Sequence, residues 1–136
     1  MEAERVAANG YGTFRHGACI LRGPRILRSS PNKCRPLSWV RSPLDRFHPR
    51  GWTPETYPYA ERLQRARHCG HAELLAVNGL GEAVRGAIVV VVRITPDSRR
   101  AFSRPCAMCS AELARLGVRR VIYTASADTL EILTLQ

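Results

Sequence analysis

Residues 86–94 read GAIVVVVRI, residues 105–117 read PCAMCSAELARLG, and residues 118–124 read VRRVIYT. The first is an almost continuous β-branched run, the pattern of a strand buried on both faces. The second opens on proline and closes on glycine, the asymmetry of a helix over Pro105–Leu116. The third is another strand, Val118–Thr124. Strand, helix and strand in succession make the chain α/β. Outward from this unit, Leu130–Leu135 is a last short strand. Upstream, His71–Leu80 has helical spacing at Leu74, Leu75 and Val77 until Gly79 and Gly81 stop it. Apolar alternation over Phe14–Leu21, the turn signal Gly23-Pro24 and then Ile26-Leu27 predict a hairpin over residues 14–29. Residues 1–12 are a short helix or a frayed end, and Pro96-Asp97-Ser98 is a turn.

With 136 residues, 45% hydrophobic and 24% charged, the chain is expected to be one domain, 1–136, with a single core and no need of disulfide staples. Its longest apolar run, Ala87–Val92, falls far short of the ~20 residues of a membrane helix. The first 20 residues hold no apolar signal segment, which predicts an intracellular protein with no membrane partner. Five cysteines, an odd number, argue for reduced thiols and metal rather than a disulfide framework.

Net charge is +10, carried by 20 arginines and one lysine, Lys33. Nine of these basic residues fall between Arg15 and Arg50, against the single acid Asp45. Residues 30–60 carry six prolines and five of the nine aromatics. A disordered linker is poor in aromatics. The stretch is therefore expected to be a folded-over binding loop or lid. Trp39, Trp52 and Tyr57 are its stacking candidates, and Arg35, Arg41 and Arg50 its phosphate contacts. The alternatives are a merely solvated basic face and aromatics that only pack the loop onto the core.

Two motifs carry chemistry: His71-Ala72-Glu73 and Pro105-Cys106-Ala107-Met108-Cys109, with 31 residues between Glu73 and Pro105. Together they supply one imidazole, two thiols and a carboxylate. Zinc takes N and S ligands of this kind, and catalytic sites keep a fourth position for water. Both motifs open helices, where free N–H groups and the helix dipole stabilise thiolates. Alone, H-x-E is usually a surface helix start, and C-x-x-C could be a structural half-site, a redox pair or buried thiols. Among the other thiols and imidazoles, Cys69 could compete as a ligand but reads as a bystander, Cys19 as core, and Cys34 is undecided. His68 and His48 read as exposed or hydrogen-bonded side chains, and Met108 as helix packing.

With these two motifs the chain resembles the zinc-dependent cytidine/deoxycytidylate deaminase superfamily, whose signature pairs H-x-E with P-C-x-x-C. RHGACILRGPRILRSSPNKCR (residues 15–35) resembles that family's first hairpin, and RRVIYT its fourth strand. The resemblance implies a three-layer α-β-α fold around a five-stranded mixed sheet. Ala125–Thr129 is only a short connection, well under the roughly dozen residues that a parallel crossover needs, so the last two strands are expected as an antiparallel hairpin. The resemblance implies one Zn2+ per chain on His71, Cys106 and Cys109, with Glu73 carrying protons between water and the base. Asn32 matches an asparagine that contacts substrate in the family; its other reading is a turn residue beside Pro31. Ala72, Trp52 and Arg35 complete the candidate substrate contacts. The expected activity is hydrolytic deamination of cytosine to uracil in a nucleoside or nucleotide. The alternatives are a cytosine deaminase acting on single-stranded DNA or RNA and a non-catalytic zinc-stabilised binding module, with adenosine or guanine deamination further off. A homo-oligomer is compatible with all of these.

Overall fold

The structure is a computed structural model that describes residues 1–12, 15–33 and 71–135. Helix α1 spans Glu2–Ala7, and strands β1 (Arg15–Arg22) and β2 (Arg25–Pro31) follow. After the undescribed segment come helix α2 (Ala72–Val77), a 3₁₀ turn (Gly81–Val84) and strand β3 (Ile88–Ile94). Strand β4 (Arg100–Ala101), helix α3 (Ala107–Arg115) and strands β5 (Arg120–Thr124) and β6 (Leu130–Thr134) complete the order. The strands form one mixed sheet in the order β2-β1-β3-β5-β6, with β4 paired to β3.

Among the described residues the sheet has six strands, not five. β1 occupies one edge of β3 along its whole length, from Leu21↔Ile88 to Arg15↔Ile94. The parallel pairing of β3 with β5 ends at Val91↔Tyr123. That leaves the last residues of β3 open on one edge, and β4 takes them through Arg93↔Ala101 and Ile94↔Arg100. The connection is the turn expected at 96–98, where Ser98 adopts φ 64° and Thr95 N–H donates to Arg99 C=O at 2.8 Å. Two residues are too short to show a period-2 pattern, which is why β4 escapes a sequence reading. β5 and β6 form the antiparallel hairpin, with Ile122↔Ile132 at its centre.

The first hairpin turns through Gly23-Pro24. Gly23, at φ 60°, occupies the first central position that a type II′ turn reserves for glycine. β2 runs on to Pro31, two residues into the stretch read as loop. The rest of that loop, with Trp52 and Arg35, lies outside the described residues.

Helices cover both faces. Ala3 and Ala7 of α1 pack with Cys19, Val90, Val92 and Ile94 on one side. On the other, Ala72, Ala76, Val77 and Leu113 of α2 and α3 pack with Ala18, Ile20, Val89, Val91 and Val121. α1 approaches so closely that a Cβ on Gly17 would lie 2.0 Å from the Ala3 carbonyl oxygen and 2.5 Å from the Ala7 nitrogen. No helix among the described residues is long and apolar enough to cross a membrane.

Candidate metal centre

Both chemical motifs sit at helix starts on the same side of the sheet. His71 is the N-cap of α2, with extended backbone (φ −75°, ψ 124°), and its carbonyl receives the Leu75 N–H at 3.1 Å. Cys106 is the N-cap of α3, also extended (φ −66°, ψ 165°). Its Sγ accepts from the Cys109 backbone N–H at 3.5 Å, the capping role that Ser or Asp usually plays. The helix begins at Ala107, two residues later than the proline suggests, because Pro105 precedes the cap. At the other end Gly117 N–H bonds to Ala114 C=O and Val118 N–H to Leu113 C=O, each at 3.0 Å, with Gly117 at φ 88°. This is a Schellman closure, and it buries Val118 against Leu113.

His71 Nδ1 lies 3.1 Å from Cys109 Sγ and 3.8 Å from Cys106 Sγ. All three candidate ligand atoms fall within 4.8 Å of one another, close enough to hold one metal ion. Cys109 is buried, whereas His71 and Cys106 are exposed. The site therefore has a solvent side. Glu73 is buried at 5% exposure, on the first turn of α2.

The thiols divide one negative charge. Hydrogen bonds from the Cys109 thiol and from His71 hold Cys106 at about 4, far below the ordinary thiol range. Cys109, beside that thiolate and buried near Glu73, is pushed up. The hydrogen bond to Cys106, joined by the negative charges of Glu73 and Cys106, raises His71 despite partial desolvation of its ring. Burial raises Glu73, and its own backbone N–H partly offsets this. A cation here would take the place of the shared proton, favouring two thiolates and a neutral imidazole.

The segment leading into Cys106 is clamped to the sheet. Ser103 N–H donates to Thr124 C=O at 2.8 Å, and Thr124 N–H donates to Ser103 Oγ at 2.9 Å. The Ser103 hydroxyl donates to Val91 C=O at 2.9 Å. Ser103 and Thr124 are both buried. Outward on the same segment stand the exposed Phe102 and Arg104. The Phe102 ring meets Tyr123 edge-on at 6.0 Å, and the Arg104 guanidinium lies 5.8 Å from the Tyr123 ring centre. None of these residues carries a motif. The available signal was the serine three residues before Cys106.

The remaining candidates are placed as follows. Asn32 has its amide engaged within the protein: its Oδ1 accepts from His16 N–H at 2.9 Å and its Nδ2 donates to Tyr11 C=O at 3.2 Å. Ala72 is fully buried in the core between His71 and Glu73. Cys19 is buried in β1, as expected of core. Trp52, Arg35, Cys34, Cys69, His48 and His68 lie outside the described residues. Compared with protein-family models and with curated proteins, the sequence gives no match.

Proposed function

We propose that the chain is a zinc-dependent hydrolytic deaminase that converts cytosine to uracil in a nucleoside or nucleotide, in the manner of the cytidine/deoxycytidylate deaminases. The observation that carries this reading is the convergence of His71, Cys106 and Cys109 beside Glu73, a buried carboxyl two residues beyond one of the ligands. The donor set suits zinc: one imidazole and two thiols are soft to borderline ligands. On a tetrahedral ion with Zn–S near 2.3 Å and Zn–N near 2.0 Å, ligand atoms lie roughly 3.5–3.8 Å apart. The observed 3.1 and 3.8 Å need only a small adjustment to meet that spacing.

When bound, zinc would supply Lewis acidity that brings water ionisation towards neutral pH. The chain's own residues do the rest. Glu73 accepts a proton from the attacking water and delivers it to the ring nitrogen, which leaves the adjacent ring carbon electrophilic. Water oxygen adds to that carbon. Glu73 then takes the remaining proton of the added hydroxyl and passes it to the amine, which leaves as ammonia while the carbonyl of uracil forms. A carboxyl that both takes and gives protons works best with a raised pKa, and burial raises that of Glu73.

A second reading, deamination of cytosine in single-stranded nucleic acid, is favoured by the net charge of +10. A purely structural zinc module is disfavoured, since such a site has no use for a buried carboxyl beside its ligands. The test is to incubate zinc-loaded protein with cytidine, CMP, dCMP and a short C-containing single strand and to look for uracil products. Product from a mononucleotide supports the first reading, and product from the strand alone supports the second. No product from any of them, with zinc bound, leaves the binding module or deamination of a purine base.

A further inference from the structure

We infer that the end of the sheet opposite the metal centre is an anchoring surface for the phosphate backbone of single-stranded nucleic acid. The inference is independent of the deaminase reading, because it rests on a different part of the molecule. β3 runs about 20 Å from Ile88 to Ile94 at the usual strand rise. The clamp that positions Cys106 grips the later part of β3 and the end of β5, through Val91 and Thr124. The opposite end gathers arginines. Sheet register sets Arg22 directly opposite Arg25, and Leu21 beside Ile88, which pairs in turn with Arg120. Arg119 N–H bonds to Ala87 C=O at 2.9 Å, and Arg22 Nη1 reaches the carbonyls of Ala83 and Arg85 at 2.7 and 2.9 Å. Five guanidinium groups therefore belong to one end of the sheet. Arg22, Arg25, Arg85 and Arg119 are exposed and Arg120 is half-buried.

Among the described residues, only Glu82 pairs with any of these five, on Arg85 at 2.8 Å. Like charges directly opposed across an antiparallel pair destabilise it, and Arg22 and Arg25 are so opposed with no acid between them. A fold that carries this cost at one end departs from local consistency, as functional surfaces do. Guanidinium is planar, always charged and forked, which matches phosphate oxygens in pairs. A polyanion that carries a phosphate at every step of its chain offers partners to several of these groups at once. Held here, a strand would be anchored about 20 Å from the end of the sheet that carries the metal centre, and none of these arginines would touch a reacting base.

The experiment measures binding of a fluorescein-labelled single-stranded oligonucleotide by anisotropy across a salt series. It compares the parent with the double variant Arg25→Ser, Arg119→Ser and with a charge-matched control, Arg5→Ser, Arg99→Ser. Arg25 and Arg119 have no side-chain partner among the described residues, so the double variant should melt with the parent. Its slope of log affinity against log salt should fall by about 1.4, two contacts at ~0.7 each, and affinity at 0.1 M salt should drop roughly ten-fold or more. The control should keep the parental slope. Equal losses in both double variants would make the effect one of bulk charge and overturn the surface. So would an unchanged slope in the first, or phosphatidylserine vesicles bound more tightly than the oligonucleotide and released by the same substitutions. Deamination is not read in this experiment, so its failure leaves the catalytic reading standing.

Discussion

Cys106 does two things at once: its thiolate caps α3, and it faces His71 across the site. Serine can still cap the helix but is a poor ligand for a soft or borderline ion. Cys106→Ser should therefore leave the fold largely intact while weakening zinc binding by roughly a hundred-fold or more, beyond the 10–100-fold cost of losing even an outer hydrogen bond. Competition with a chromophoric chelator measures this. Cys109→Ser should do the same with a greater loss of stability, since Cys109 is buried. That these candidate ligands come together could be read from sequence because each motif is local: three residues of spacing set the geometry once a helix starts there. Ser103 could not, because its partners Val91 and Thr124 come from other strands. Asn32 shows the opposite difficulty: one residue type serves equally as turn former and as ligand contact, and only its bonds to His16 and Tyr11 show how its amide is engaged here.

Among the elements, α1 is the least legible and the most constrained. A six-residue helix is too short to stand alone, so it exists by docking on the sheet over Gly17. Gly17→Ala should cost about 1–3 kcal/mol, the usual range for an overpacked site, or more here because the clash is with backbone. A denaturant melt checks it. The helix is also tied by charge: Glu2 bonds Arg5 and Ser29, and Glu4 bonds Arg100. Arg5 and Ser29 hold the Glu2 carboxyl at about 2, and Arg100 lowers that of Glu4. A carboxyl depressed in the folded state adds stability that is complete above its ordinary value of 4.5 and is lost as pH falls towards the folded value. Melting temperatures of parent and Glu2→Gln should differ near neutral pH and converge between about pH 4.5 and 2. An unchanged gap across that window would mean that the carboxyl charge is not what holds the helix. The strands of the parallel unit were legible from their β-branched runs, and the Gly117 stop from its residue type. The pairing of β4 was not, since it depends on which edge of β3 the other strands leave open.

For the whole molecule, the candidate metal centre lies between the starts of α2 and α3, on the face of the sheet where Ala72 and Leu113 share one core. An ion that binds only the folded chain stabilises it by mass action, about 2.7 kcal/mol when free metal is a hundred times its dissociation constant. Stripping the metal with a chelator should therefore lower the melting temperature of the parent by several degrees and leave Cys109→Ser unmoved, as differential scanning calorimetry would show. Deamination of cytosine, as proposed, requires the metal centre and Glu73 together. The most direct test is the rate of uracil formation by zinc-loaded Glu73→Gln relative to the parent, at equal zinc content and on the substrate that the parent prefers. About one zinc per chain is expected in both proteins, with the variant slower by roughly 10²–10⁴-fold, the range lost with a general acid–base. Equal rates in the two proteins, or a zinc-loaded parent that forms no uracil from any cytosine substrate, would contradict it.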